Sequence, residues 1–258
     1  MYKITSSDGT SIAVDRLGAG PAVILISGGP VDRSSTAGLA ERLAADFTVY
    51  NYDRRGRGDS GDASPYAVDR EYEDIAALIG VAGGSAMVYG TSGGGIIGLE
   101  AAARGLAVTK LVVWEPPFVI PGTRPPVPAD YQARLRDLLA QNRRGDMVEL
   151  FLTEAAGIPG EFVAQLRQSP FWAGQEAVAP ALVYDAMIVK DFAVPTERLA
   201  TVTVPTVVLD GGTVDWLTRS ADAVAAALPA ATRRTLAGQP HNVDDAAVAP
   251  AIAAHFAE

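Results

Sequence analysis

Gly90-Thr91-Ser92-Gly93-Gly94 decides how this chain is read. The pentapeptide matches G-x-S-x-G. An apolar run, Ala86-Met87-Val88-Tyr89, precedes it, and a helical pattern, Ile96-Ile97-Gly98-Leu99-Glu100, follows. A strand, a sharp turn and a helix are the setting a nucleophile elbow needs. The small residues have a physical reason, since a Cβ beside the serine would collide with the adjoining strand or helix. The serine hydroxyl then projects into a crevice. The Gly93 amide lies at a helix N-terminus, where partial positive charge favours an oxyanion. Two other readings compete. One is a plain glycine-rich strand–helix turn. The other is a dinucleotide fingerprint, because Gly93, Gly95 and Gly98 spell G-x-G-x-x-G and Glu115 closes the next strand. The fingerprint's first glycine should follow the strand directly. That residue is Gly90, and from there the match fails at Ser92.

Outward from the elbow, β-branched runs alternate with Ala/Leu-rich helical ones. Strands are expected at 11–17, 22–27, 48–53, 85–90, 109–114, 205–210 and 232–236. Helices are expected at 35–45, 69–81, 94–104, 216–228 and 244–256. Ala22–Ile26 and Thr206–Leu209 are continuously apolar, as strands covered on both faces are. This alternation predicts an α/β fold with a mostly parallel, doubly wound sheet, whose ligands bind beyond the carboxyl ends of the strands. Between Pro116 and Ala200 the alternation stops. A proline-rich stretch leads into helical patterns at 130–142, 147–156, 161–168 and 175–189. This stretch reads as a helical insertion over the sheet edge.

Composition narrows the chemistry. The chain has 258 residues, 48% of them hydrophobic and 20% charged, enough for a full core. Its formal charge of −9 argues against nucleic acid. It has no cysteine, which removes disulfides, thiolate metal sites and a cysteine nucleophile. Only two histidines are present, His241 and His255, so a neutral-pH base has two candidates. The polar N-terminus and short apolar runs suggest a cytoplasmic protein with no membrane partner.

Three further segments carry signals. His241 follows the last expected strand in Gly238-Gln239-Pro240-His241 and comes after the serine in chain order, as a triad base would. His255 lies within the terminal helix and reads as a surface or rim residue. Ser27-Gly28-Gly29-Pro30 follows the strand at 22–26, and its small residues let a backbone amide face the crevice as a second oxyanion donor. Asp53-Arg54-Arg55-Gly56-Arg57-Gly58-Asp59-Ser60 reads as a solvated structural turn, with its arginines bracketed by acids.

Together these four segments resemble the α/β-hydrolase superfamily in order and spacing over essentially the whole chain. The resemblance implies a core at 1–116 and 201–258 and a helical cap at 117–200. It implies Ser92 as nucleophile, His241 as base, and the amides of Gly93 and Gly29 as the oxyanion hole. One departure is visible: Ser27-Gly28 stands where family members often carry His-Gly. For the acid, Gly212-Thr213-Val214-Asp215 matches the family's common Gly-x-x-Asp loop, whereas haloalkane dehalogenases and the zearalenone lactonase type place it where Glu115 stands. Glu115 is favoured: flanked by Trp114 and Pro116, a carboxylate there is costly unless paired. Asp215 can serve as a helix cap, and Asp210 is the weakest candidate. The expected function is a serine hydrolase acting on a small uncharged ester or lactone through an acyl-enzyme, with no cofactor and no metal. Alternatives are carbon–carbon bond hydrolysis, perhydrolysis, or a non-catalytic small-molecule receptor. A pocket wall is sought among Phe118, Tyr131, Phe151, Phe171, Trp172 and Tyr184, each of which can instead pack the insertion's helices together.

Overall fold

The computed structural model describes all 258 residues. Eight strands form one sheet in the order β1-β2-β4-β3-β5-β6-β7-β8. They are β1 (Tyr2–Thr5), β2 (Ser11–Leu17), β3 (Ala22–Ile26), β4 (Thr48–Tyr52), β5 (Ala86–Thr91), β6 (Val108–Trp114), β7 (Thr206–Gly212) and β8 (Ala231–Gln239). β1 pairs antiparallel with β2, and β2 with β4. From β4 to β8 every pairing is parallel. The sheet is therefore mostly parallel, as the sequence led us to expect. The first strand is the one the sequence pattern did not disclose. Its residues are mostly exposed, so it carries little apolar signature.

The central strands bury alternate residues into two separate cores. Ile24 and Ile26 of β3, with Leu111 and Val113 of β6, face one core. Val23, Leu25, Val112 and Trp114 face the other. That is the period-two consequence of a sheet covered on both sides. α1 (Ala37–Leu43) and α11 (Asp245–Ala257) close the second face through Leu39, Leu43, Val248 and Ile252. α2 (Asp69–Val81), α3 (Gly93–Ala103) and α10 (Asp215–Ala227) cover the first through Ile75, Leu78, Ile97 and Val224. Wide apolar faces, rather than helix propensity alone, hold such helices in place.

Between β6 and β7 the chain runs through helices only. These are α4 (Tyr131–Ala140), α5 (Arg144–Leu150) with a π-helical turn at Phe151–Ala155, α6 (Gly160–Leu166), α7 (Trp172–Val178), α8 (Leu182–Val189) and α9 (Thr196–Leu199). Leu135, Met147 and Leu182 join the first core, so this helical segment shares one apolar interior with the sheet. α8 packs against α3, the helix that starts beside Ser92, and against α4. No helix is long and apolar enough to cross a membrane.

His255 departs from expectation. It is 8% exposed, and its Nε2 lies 3.1 Å from the Pro205 carbonyl oxygen. The sequence shows its polar ring in a terminal helix but not that α11 lies against the strand entrance, where the Pro205 carbonyl also accepts the Leu111 amide at 3.0 Å.

Candidate active site

β3, β5, β6, β7 and β8 lie side by side, and the expected site residues follow the ends of these strands. Ser92 follows β5 directly and precedes α3. Its backbone has φ 53° and ψ −124°, a sparsely populated region for a residue with a side chain. The turn is pinned by the Ser92 amide, which donates to the Trp114 carbonyl at 2.8 Å. Gly94 shows why the elbow is glycine-rich: a Cβ there would overlap the carbonyl oxygens of Ile26 and Ser27 at the end of β3. The β5–α3 turn and the Ser27–Pro30 turn are thus in direct contact. Gly28 lies against the Ser92 side chain, and a Cβ added to it would meet Ser92 Cβ at 3.0 Å.

Glu115 follows β6 and is completely buried, with φ 43°. Its Oε1 accepts the Gly211 amide at 2.9 Å, and its Oε2 lies 2.7 Å from His241 Nδ1. A buried carboxylate with both oxygens occupied meets the condition under which such a group is tolerated. His241 lies beyond β8 on a loop held from a second direction, since Trp114 Nε1 donates to the His241 carbonyl at 2.9 Å. The His241 side chain is 39% exposed. No hydrogen bond joins Ser92 to His241 in this structure. Such contacts often tighten only when substrate is bound.

Neither rival carboxylate reaches the imidazole. Asp215 opens α10 with its side chain 75% exposed, and it lies 3.6 Å from Arg219 on the next turn. It matches the acid loop in sequence but faces solvent. Asp210 is buried, yet it lies 2.9 Å from Arg233 and accepts the Thr218 hydroxyl and the Gly212 amide.

The arginine segment corrects an expectation. Arg54, Arg55 and Arg57 are buried rather than solvated, at 0%, 0% and 2% exposure. Arg55 grips Asp74 with two bonds of 2.8 and 2.7 Å and reaches Asp8 at 3.0 Å. Arg54 grips Glu71 in the same two-pronged way, at 3.1 and 2.8 Å. Arg54 and Arg57 then converge on Asp185 Oδ1, at 2.9 and 2.5 Å. The acids that neutralise them come mostly from α2 and α8, far along the chain, so the local sequence could not reveal the pairing. Burial pushes the Asp185 carboxyl upward, but Arg57 and Arg54 outweigh it and hold it below the usual range. Burial and the neighbouring Arg54 charge together lower Arg57.

Of the aromatic residues weighed as a pocket wall, Phe118, Tyr131 and Trp172 are buried in the packing of the helical segment, and Phe171 is exposed. Tyr184 stacks on Tyr66 with ring centres 3.8 Å apart and donates to Asp62 Oδ2 at 2.6 Å. No three His, Asp or Glu side chains converge as a metal-binding group.

This architecture has known counterparts. A model of the alpha/beta hydrolase family matches residues 23–251. The chain belongs to that family. The structure of an alpha/beta hydrolase from Sphaerobacter thermophilus is 50% identical to this hydrolase, with a TM-score of 0.95 over 98% of this chain and 99% of that one. A thermophilic esterase from Thermogutta terrifontis has the same fold, with a TM-score of 0.75 at 22% identity over 99% of this chain and 97% of that one. Among curated relatives, the uncharacterized hydrolase YraK of Bacillus subtilis is 34% identical over 100 residues. That stretch is 37% of this hydrolase and 37% of the relative.

Proposed function

We propose that this hydrolase cleaves a small uncharged carboxylic ester or lactone through a serine acyl-enzyme, with residues 117–200 as a cap that selects substrate. The observation that carries the reading is the Glu115–His241 contact of 2.7 Å, at strand ends next to a serine in strained backbone. A serine hydroxyl is a weak nucleophile until a base takes its proton. His241 fills that role, and Glu115 fixes the tautomer and stabilises the imidazolium. As Ser92 Oγ bonds to the substrate carbonyl carbon, its proton passes to His241. The amides of Gly93 and Gly29 hold the oxygen that becomes negative. Collapse expels the alkoxide, which takes the proton from His241. A water molecule then attacks the acyl carbon and loses a proton to His241; the C–Oγ bond breaks, Ser92 Oγ takes that proton back from His241, and the acid is released.

An uncharged substrate fits the pairing of charges around the site. Both arginines that reach the Gly28 turn are matched by Asp185 and Glu71, which leaves no free guanidinium there for a substrate anion. The test is a panel of short p-nitrophenyl esters and lactones, run on wild type and Ser92→Ala, with fluorophosphonate labelling of Ser92. Labelling and turnover that both vanish in the variant support the reading. Turnover that persists in Ser92→Ala overturns it, and tight ligand binding without turnover points to a receptor.

A further inference from the structure

The Gly28–Gly29 peptide is a single planar unit, so its carbonyl and its amide point in opposite directions. Whatever fixes the Gly28 oxygen also aims the Gly29 N–H. Two buried guanidiniums hold that oxygen. Arg57 Nη1 donates to it at 2.5 Å, and Arg54 Nη1 approaches at 3.4 Å. Arg57 Nη1 also donates to the Val31 carbonyl at 3.2 Å, so this one side chain ties both ends of the turn.

The two arginines are not held alike. Arg54 is gripped by Glu71 whatever else happens. Arg57 has one carboxylate partner, Asp185, which stands on α8 in the helical segment. Asp185 Oδ1 bridges both guanidiniums, while Oδ2 has no hydrogen-bond partner and packs against Gly29.

We propose that Asp185 is a positioning residue for the oxyanion hole: by holding Arg57 and Arg54 against the Gly28 carbonyl, it aims the Gly29 amide. Without Asp185, two like charges face each other in a buried site, and Arg57 is the one left with no carboxylate partner, held only by the Gly28 and Val31 carbonyls. The guanidiniums also polarise the peptide they grip, which strengthens the opposite N–H as a donor. The helical segment then does more than shape a pocket, because α8 supplies the counter-charge that orders the core's oxyanion turn. Tyr184, the neighbour of Asp185, is anchored to the same stretch of core by its stack on Tyr66.

This inference rests on the serine-hydrolase reading, and its test separates the two. Asp185→Asn and Arg57→Lys are compared with wild type for kcat and KM on p-nitrophenyl acetate. They are also compared for affinity toward a trifluoromethyl ketone, which adds to serine as a tetrahedral oxyanion, and thermal melts confirm folding. Asp185→Asn is expected to lower kcat roughly 10–100-fold, less than the roughly 10²–10³-fold that outright loss of an oxyanion donor costs, because the Gly29 amide is misaimed rather than removed. KM stays within about threefold, and ketone affinity falls in parallel with kcat/KM. A merely structural ion pair would not produce that parallel loss. A folded Asp185→Asn with kcat within about twofold of wild type overturns the inference, as does lower kcat with unchanged ketone affinity. If Asp185→Asn does not fold, Arg57→Lys is judged by the same criteria, because lysine keeps the charge but cannot reach Asp185 and Gly28 together. A wild type that neither turns over esters nor labels with fluorophosphonate overturns the hydrolase reading itself.

Discussion

His241 Nδ1 lies 2.7 Å from Glu115 Oε2, so the carboxylate that orients the imidazole stands at the end of β6, one strand earlier than the Gly212–Asp215 loop. The backbone makes room for this. Glu115 takes φ 43°, its amide donates to Leu209 at 3.0 Å, and Gly211 on the neighbouring strand donates to its second oxygen. At the β7 end, Gly211 itself has no space for a side chain, since a Cβ would overlap the Gln239 carbonyl.

Replacing the two carboxylates separately tests this arrangement. In the proposed mechanism Glu115→Gln keeps the shape but loses the charge that would stabilise the imidazolium, and kcat is expected to fall by about 10²–10⁴. Asp215→Asn, 75% exposed and remote from His241, is expected to keep kcat within about twofold. Steady-state kinetics on one ester settles both. An inactive Asp215→Asn beside an active Glu115→Gln would reverse the assignment.

Trp114 gives a second handle on the histidine. Its indole Nε1 is the donor that holds the His241 carbonyl. Trp114→Phe removes that donor from a fully buried site and leaves a partial cavity, so a stability loss of about 1–3 kcal/mol is expected. The freed loop should lower kcat more than it raises KM. A denaturant titration and a kinetic comparison check the two effects, and wild-type kcat would show that the tether is dispensable.

The elbow can be probed by size alone. Gly94→Ala sets a Cβ against two backbone carbonyls of the β3 end, which no side-chain rotation relieves. The expected cost is about 1–3 kcal/mol in unfolding free energy. Gly93→Ala meets nothing within 4 Å, and its stability should stay close to wild type. Chemical denaturation of both variants gives the comparison, and equal stabilities would contradict the close approach of the two turns.

Much of this was legible in the sequence because it depends on local pattern. Ser92 announces itself through glycine spacing between a strand and a helix, and His241 through its place after the last strand. Glu115 could be favoured over Asp215 because Trp114 and Pro116 surround it with apolar bulk. The fate of Arg54, Arg55 and Arg57 was not legible. Their partners Glu71, Asp74 and Asp185 lie 17 to 131 residues away, and only the fold brings them together. One signal was available: Asp185 interrupts the otherwise apolar run Leu182-Val183-Tyr184-Asp185-Ala186-Met187-Ile188-Val189. A charge in such a helix calls for a buried partner.

That same buried charge predicts how the fold responds to acid. Asp185 is held below the usual carboxylate range: burial opposes ionisation, and Arg57 and Arg54 more than offset it. Asp210 is likewise lowered, with burial outweighed by Arg233, Thr218 and Thr235. A group depressed in the folded state stabilises it above the unfolded value, about 3.9 for aspartate, and that contribution is lost as pH falls through the folded value. Asp74 runs the other way: burial raises it despite Arg55, so its contribution is largest at low pH and weakens as pH rises. With more groups lowered than raised, melting temperature is expected to fall between about pH 5 and about pH 3. Asp185→Asn, already less stable at neutral pH, should show a shallower fall because one depressed carboxylate is gone. Thermal melts across that range check it. An acid slope unchanged by the substitution would mean that Asp185 is not held ionised by its two arginines.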